Sequence, residues 1–329
     1  MDTHGPDLKA QLKQRLFDGI SAHIDAIGHV PADLARLAGD APLGGLGPRP
    51  EPASDGREQV AAADGPDSGR LAVAVNRHYD DTFYSRDGIM GLLLGETQYR
   101  NIGYWDASTK TQHQASERLQ DALLALLPEK TGRILDVACG LGASTRRLLD
   151  HYRPEDVWAI NISEKQIETT RANAPGCNAQ VMNAVEMSFR DGFFDAVLCI
   201  EAAFHFETRR RFLEEAYRVL APGGHLVLSD VLFTSRERLA QYPVFPSPEN
   251  HLESVEEYRA LLSEVGFHEI HVEDARDEIW RAHFLHVVER LHEEFGDGRL
   301  DLVRLTDALW TYYHLDAITG PCLLVGARK

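Results

Sequence analysis

The stretch that decides the fold runs from Arg133 to Arg146: Arg-Ile-Leu-Asp-Val-Ala-Cys-Gly-Leu-Gly-Ala-Ser-Thr-Arg. Its first part, Ile134-Leu135-Asp136-Val137-Ala138, has the apolar composition of a short strand covered on both faces. It breaks at Gly140 and Gly142 and restarts as a helix, with Leu148 and Leu149 on its apolar side. A strand, a glycine turn and a helix N-terminus let backbone approach a ligand closely. Two details narrow the ligand. Asp136 stands inside the apolar run, before Gly140, and needs a polar or cationic partner there. Position 145 is Thr, where the dinucleotide fingerprint G-x-G-x-x-G uses glycine to pack helix on strand, so the stretch is a poor nicotinamide-dinucleotide site. An ordinary strand-turn-helix corner of an α/β protein is the plain alternative.

The surroundings set bounds. The 329 residues make one large domain, or one domain with an appendage, and 43% hydrophobic residues suffice for a substantial core. A net charge of −17 repels a phosphate backbone over most of the surface, which argues against nucleic acid as substrate. The compact cationic run Arg209-Arg210-Arg211 reads more simply as the first turn of a helix. Four cysteines without a C-x-x-C pair, and no apolar leader or membrane-length apolar run, predict reduced thiols in a cytoplasmic protein without a zinc site or membrane span.

Residues 7–27 carry apolar side chains at helical spacing, and 32–38 predict a second short helix. From Gly39 to Arg70, recurrent glycine and proline leave no periodic pattern. Val75 to Tyr84 reads as a helix, and so does Gln114 to Leu127, which Pro128 ends. Strands follow at Val157–Ile160, near Ala179–Met182, at Phe194–Ile200, at His225–Leu228 after a Pro222-Gly223-Gly224 turn, at His268–Glu273 and at Pro321–Ala327. Helices lie between them, and the segment Ile279–Leu315, rich in aromatic residues, is helical with a break around Gly296 to Gly298.

An acidic strand residue followed by G-x-G resembles motif I of the class I S-adenosylmethionine-dependent methyltransferases. The run Arg-Val-Leu-Ala-Pro-Gly-Gly-His-Leu-Val-Leu, from Arg218, resembles that family's signature before its fifth strand. The resemblance covers roughly Leu71 to Lys329. It implies an α/β fold: a Rossmann-like seven-stranded sheet, mostly parallel, with helices on both faces and an antiparallel last hairpin. Residues 1–38 would then be an N-terminal helical extension, 39–70 a Gly/Pro-rich linker, and 71–329 the methyltransferase domain. A helical insertion at about 276–318 would form a lid or complete the core.

The resemblance also assigns expectations to residues. S-adenosylmethionine would lie on Asp136, Ala138, Gly140 and Gly142, with the aromatic faces of Tyr79 and Tyr104 towards its sulfonium. Trp105 could belong to that group or to the core. Asn161, beside Ile162 and Gln166, stands where the family usually has a carboxylate for the ribose hydroxyls; an amide can accept and donate there, without the charge. Asn183-Ala184 stands where Asp-Ala usually meets the adenine. Glu201 and His205 form a Glu-x-x-x-His segment resembling that of small-molecule O-methyltransferases, with His205 as the base, or else capping a loop or packing against the cofactor. Glu201 would orient ligand or histidine, and Asp230 would fix the imidazole tautomer. The implied reaction is methyl transfer to a hydroxyl of a small natural-product-type acceptor. C- or N-methylation, an acceptor tethered to a carrier protein docked on the N-terminal helix, and a protein that binds the cofactor without transferring methyl stay open. Oligomeric state is open as well.

Overall fold

In the computed structural model, which describes residues 68–84, 97–234 and 250–329, β1 is Ile134–Val137, every residue of it buried. Expectations for residues 1–67, which include both N-terminal helices and nearly all of the linker, lie outside the described residues. β2 (Val157–Asn161) and β4 (Phe194–Ile200) flank β1 in parallel register, with Asp136 opposite Ala159 on one side and Leu198 on the other. β3 (Asn178–Val181) pairs with β2, and β5 (Leu220–Phe233) with β4, again parallel. β6 (His268–Asp274) and β7 (Thr319–Arg328) complete a seven-stranded sheet of order β3-β2-β1-β4-β5-β7-β6. β7 runs antiparallel to both β5 and β6. This is the implied architecture.

The near-continuous apolar runs of β1, β2 and β4 follow from burial on both faces. Helices α1 (Ser68–Phe83), α2 (Gln112–Ala125), α3 (Ala143–Leu148), α4 (Glu164–Asn173), α5 (Arg209–Val219) and α6 (Val255–Val265) occupy the connections. Thr111, Ser163, Thr208 and Ser254 cap α2, α4, α5 and α6 by accepting a backbone N–H of the first turn. Two boundaries differ most from the periodic reading. α1 begins at Ser68, inside the stretch read as linker. β5 begins at Leu220, ahead of its Pro-Gly-Gly, because the ladder to β4 absorbs those residues as an irregularity between Phe194 and Ala196.

The 276–318 segment opens on a π-helical turn, Asp277–Arg281, and continues as α7 (Ala282–Gly296) and α8 (Leu302–Ile318). Phe284–Ala317 falls in a different compact unit from residues 52–283 and 318–329, and within it Phe284 meets Tyr313 edge-on at 5.5 Å and the buried Glu294 pairs with Arg290 and Arg299. Among the described residues no helix is long and apolar enough to cross a membrane.

Candidate active site

The carboxyl ends of β1, β2 and β4 open into one cavity, where a parallel sheet presents its loops. Of the residues singled out in the sequence, Tyr79, Asp136, Ala138, Gly140, Asn161, Ile162, Gln166, Asn183, Ala184, Glu201 and His205 line it. Gly142, Tyr104 and Asp230 do not. Tyr104 is tied by its N–H to the Ala115 carbonyl at the start of α2. Trp105 is a core residue, 8% exposed, whose indole N–H donates to Ile102.

Asp136 finds its partners eight and nine residues downstream. The hydroxyls of Ser144 and Thr145, in the first turn of α3, each donate to Oδ2 at 2.7 Å. Burial outweighs them and lifts the carboxyl to about 6. The two motif glycines divide the work. At Gly140, with φ of 56°, a Cβ would meet nothing within 4 Å, so this is backbone open to a ligand. At Gly142, with φ of 82°, a Cβ would lie 2.7 Å from Thr170 Cα, so this glycine lets α3 pack on α4. Ala138 (φ 59°) and Glu201 (φ 48°) hold left-handed backbone without being glycine. They follow the ends of two adjacent strands, and such conformations cost of order 1 kcal/mol or more each and collect at ligand sites.

At the tip of β2, Asn161 accepts the Ser163 N–H at 2.9 Å and donates to Gln166 Oε1 at 3.1 Å. A carboxylate is present after all, contributed by α1. Asp80 Oδ1 accepts from both Ser163 Oγ and Gln166 Nε2 at 2.8 Å. Asn183 turns its carbonyl to the Val185 N–H at 3.2 Å.

Glu201 is half-buried as a residue, but its carboxyl lies deep. Oε2 accepts the Ile102 N–H at 2.8 Å, while Oε1 is buried without a hydrogen-bond partner. Burial lifts this acid to about 8. Two further buried oxygens without partners, Asn76 Oδ1 and Asn101 Oδ1, belong to the same lining. Buried polar atoms in a folded protein are nearly always satisfied, so three around one cavity mark where a polar ligand supplies the missing donors. The Tyr79 hydroxyl hydrogen-bonds His205 Nε2, with the rings edge-on at 5.0 Å. Burial drives the Tyr79 phenol well above its usual range, so it keeps its proton.

Asp230 departs from expectation. It is 1% exposed, and its two oxygens are occupied by the fully buried Arg209, through Nε at 2.6 Å and Nη2 at 3.3 Å. Its carboxylate is thereby committed to a guanidinium at the start of α5.

Sequence reasoning missed Asn76, Tyr99, Arg100, Asn101 and Asp80. Asn76, Tyr79 and Phe83 follow helical spacing, so the α1 stripe could have been read as facing a ligand, with Asp80 beside it bonded to Ser163 and Gln166. The segment around Tyr99–Asn101 has no regular structure and hence no period to read.

A family profile described as a methyltransferase domain matches residues 135–228. The chain is 32% identical over 193 residues to an O-methyltransferase of Aspergillus sclerotiorum, a match covering 54% of this chain and 72% of that one. It is 37% identical over 153 residues to the 27-O-demethylrifamycin SV methyltransferase of Amycolatopsis mediterranei, covering 44% and 54% of the two chains. Among solved structures, phosphoethanolamine N-methyltransferase 2 of Haemonchus contortus with bound S-adenosylhomocysteine superposes with a TM-score of 0.59 at 18% identity, over 78% of this chain and 60% of that one. At that identity the likeness concerns the fold.

Proposed function

The chain belongs to the class I S-adenosylmethionine-dependent methyltransferases, and we propose that it methylates a hydroxyl of a small natural-product-type molecule with His205 as the proton acceptor. Its cofactor is S-adenosylmethionine. When bound, the cofactor supplies an electrophilic methyl group on a good leaving group. The chain's own residues have three tasks: to hold the cofactor, to orient the acceptor and to take the hydroxyl proton.

The residues present fit the cofactor. Open backbone at Gly140, the amides of Asn161 and Asn183, and the unpartnered oxygens of Asn76, Asn101 and Glu201 suit a ligand rich in hydroxyl, amino and ammonium donors. Asn161 has one lone pair and one N–H left for ribose hydroxyls, and Asp80 lends negative charge behind it through Gln166.

The observation that carries the proton-transfer reading is the Tyr79–His205 hydrogen bond in the cavity wall. With the imidazole proton on Nδ1, the protonated phenol donates to Nε2, so the imidazole lone pair is reached through the Tyr79 oxygen. As the acceptor hydroxyl attacks the methyl carbon, its proton moves to Tyr79 Oη while the Tyr79 proton passes to Nε2. The pair ends as neutral tyrosine and imidazolium, and the proton leaves to solvent afterwards. The two sequence relatives named above are O-methyltransferases by name, which supports oxygen as the nucleophile.

The test uses S-adenosylmethionine labelled in its methyl group, the full chain, and a panel of hydroxylated polyketide-type molecules, free and loaded on a carrier protein. Label on a free hydroxyl compound supports the proposal, and label only on a loaded carrier refutes the free-acceptor part. His205→Gln and Tyr79→Phe should each lower turnover by about 10²-fold, the usual contribution of a positioned base. Turnover within tenfold of the parent in both would refute the proton route and favour C- or N-methylation, which needs no base of this kind.

A further inference from the structure

The turn that carries His205 has little to hold it from within. Ala203–His205 is a single 3-10 turn, closed by His205 N–H to Ala202 O at 2.9 Å and Phe206 N–H to Ala203 O at 3.3 Å. Three carbonyls of the 203–206 segment are met by one side chain from far along the chain. Asn250 Nδ2 donates to Phe206 O at 3.0 Å and lies 3.4 Å from the carbonyls of Ala203 and Phe204. Asn250 Oδ1 accepts the Arg209 N–H at 2.5 Å, a first-turn donor of α5 with no partner inside the helix. The Asn250 carbonyl accepts Arg209 Nη1 at 2.5 Å, and the same guanidinium continues to Asp230 and to the Val231 carbonyl at 2.8 Å. Asn250 and Arg209 are 2% exposed and Asp230 is 1% exposed, so water does not compete for these bonds.

We infer that Asn250 is a positioning residue for His205: its amide ties the 203–206 turn to α5 and, through Arg209 and Asp230, to the end of β5, and so sets the imidazole against Tyr79. The inference rests on the proposed Tyr79–His205 proton route. It also gives Asp230 its place, behind the histidine at two removes, where direct contact was expected. The side-chain chemistry is restrictive. One planar group must donate to loop carbonyls and accept from a helix N–H at once, which an amide does. A carboxylate keeps the acceptor, loses the donor and faces carbonyl oxygens. Alanine loses both. The titratable groups lining the cavity with His205 are Tyr79 from α1, Tyr99 and Arg100 from the segment before α2, Asp136 from β1 and Cys139 from the turn after it, and Glu201 and Glu207 on either side of the 203–206 turn, so ring chemistry there reports on a shared environment.

The test reads the ring itself and requires no acceptor. The full chain, labelled with ¹⁵N-histidine and saturated with S-adenosylhomocysteine, is compared as wild type, Asn250→Ala, Asn250→Asp, Tyr79→Phe and the Asn250→Ala/Tyr79→Phe double variant. The His205 ring-nitrogen resonances are identified by their loss in His205→Gln. The expected result is that both Asn250 variants move the Nε2 resonance by more than its linewidth, in the direction Tyr79→Phe moves it, and that the double variant matches Tyr79→Phe alone. Should Asn250→Ala melt at a lower temperature yet leave that resonance within its linewidth, Asn250 is merely structural and the inference fails. Shifts that add in the double variant also overturn it, since Asn250 would then act on the ring by another path. Turnover of His205→Gln judges the proton route separately: unchanged turnover removes the base while the resonance still reports whether Asn250 places the ring.

Discussion

Replacing Glu201 by Gln tests the electrostatics of the cavity without any substrate. Burial lifts the carboxyl from 4.5 to about 8 on folding. Between those values the acid is protonated in the folded chain and ionised in the unfolded one. Its contribution to stability is therefore complete below pH 4.5 and is lost as pH rises towards 8. For a shift of that size the loss between pH 5 and pH 7 is about 2.5 kcal/mol, and solvent access to a half-buried residue reduces the expectation to about 1–2.5 kcal/mol. Gln keeps an acceptor for the Ile102 N–H and does not titrate. Its NH2 group, placed where Oε1 is buried, adds an offset that is the same at every pH. The gap in Tm between Glu201→Gln and wild type should therefore widen by roughly 2–10 °C from pH 5 to pH 7, in favour of the variant, at 2–4 °C per kcal/mol. The assay is thermal unfolding of both proteins without cofactor at pH 5, 6, 7 and 8. A gap constant to within about 1 °C would refute the reasoning, because a measurable shift must appear as a slope.

Gly142→Ala combines left-handed backbone with a methyl against Thr170 and should cost about 2–4 kcal/mol in chemical unfolding, whereas Gly140→Ala should cost about 1–2 kcal/mol yet weaken S-adenosylmethionine binding at least about tenfold by calorimetry. Equal stability losses with equal affinities would contradict the division of labour between the two glycines. Arg209→Met leaves the Asp230 carboxylate buried without its cation and should destabilise by about 3–5 kcal/mol in urea at pH 7. Adding Asp230→Leu should recover much of that loss, and a double variant as unstable as the single one would count against the ion pair as its cause.

The parts of this molecule that sequence reveals are those with a period or a fixed local geometry. β1, the glycine turn and α3 were legible because buried strands, left-handed backbone and helix starts each restrict residue type locally. The sheet's central register follows from them. Asp136 announced a partner, and the hydroxyls of Ser144 and Thr145 were within reach of inspection, since a first helical turn after a tight corner returns to the strand end. Asp230 misled for the opposite reason. Its strand-end position was legible, but the cation that takes it comes from α5, and nothing local ties position 209 to position 230. Asn250 left no trace either, because its value lies in three carbonyls and one N–H more than forty positions upstream. Tyr104 was drawn towards the site by its neighbours in sequence, whereas the backbone there is spent on joining α2.

The sheet order has a consequence for how the chain is made. β7 lies between β5 and β6 but follows both in sequence. During synthesis, β5 and β6 leave the ribosome with no strand between them, and each presents an open edge of unpaired N–H and C=O groups until residues 319–328 emerge. The β1–β5 half, by contrast, assembles from strands already present, with β1 central. The nascent chain thus passes through a stage in which the cavity-bearing half is paired while the other edge stays exposed to chaperones or to aggregation. A ribosome stalled before Thr319 would hold it there.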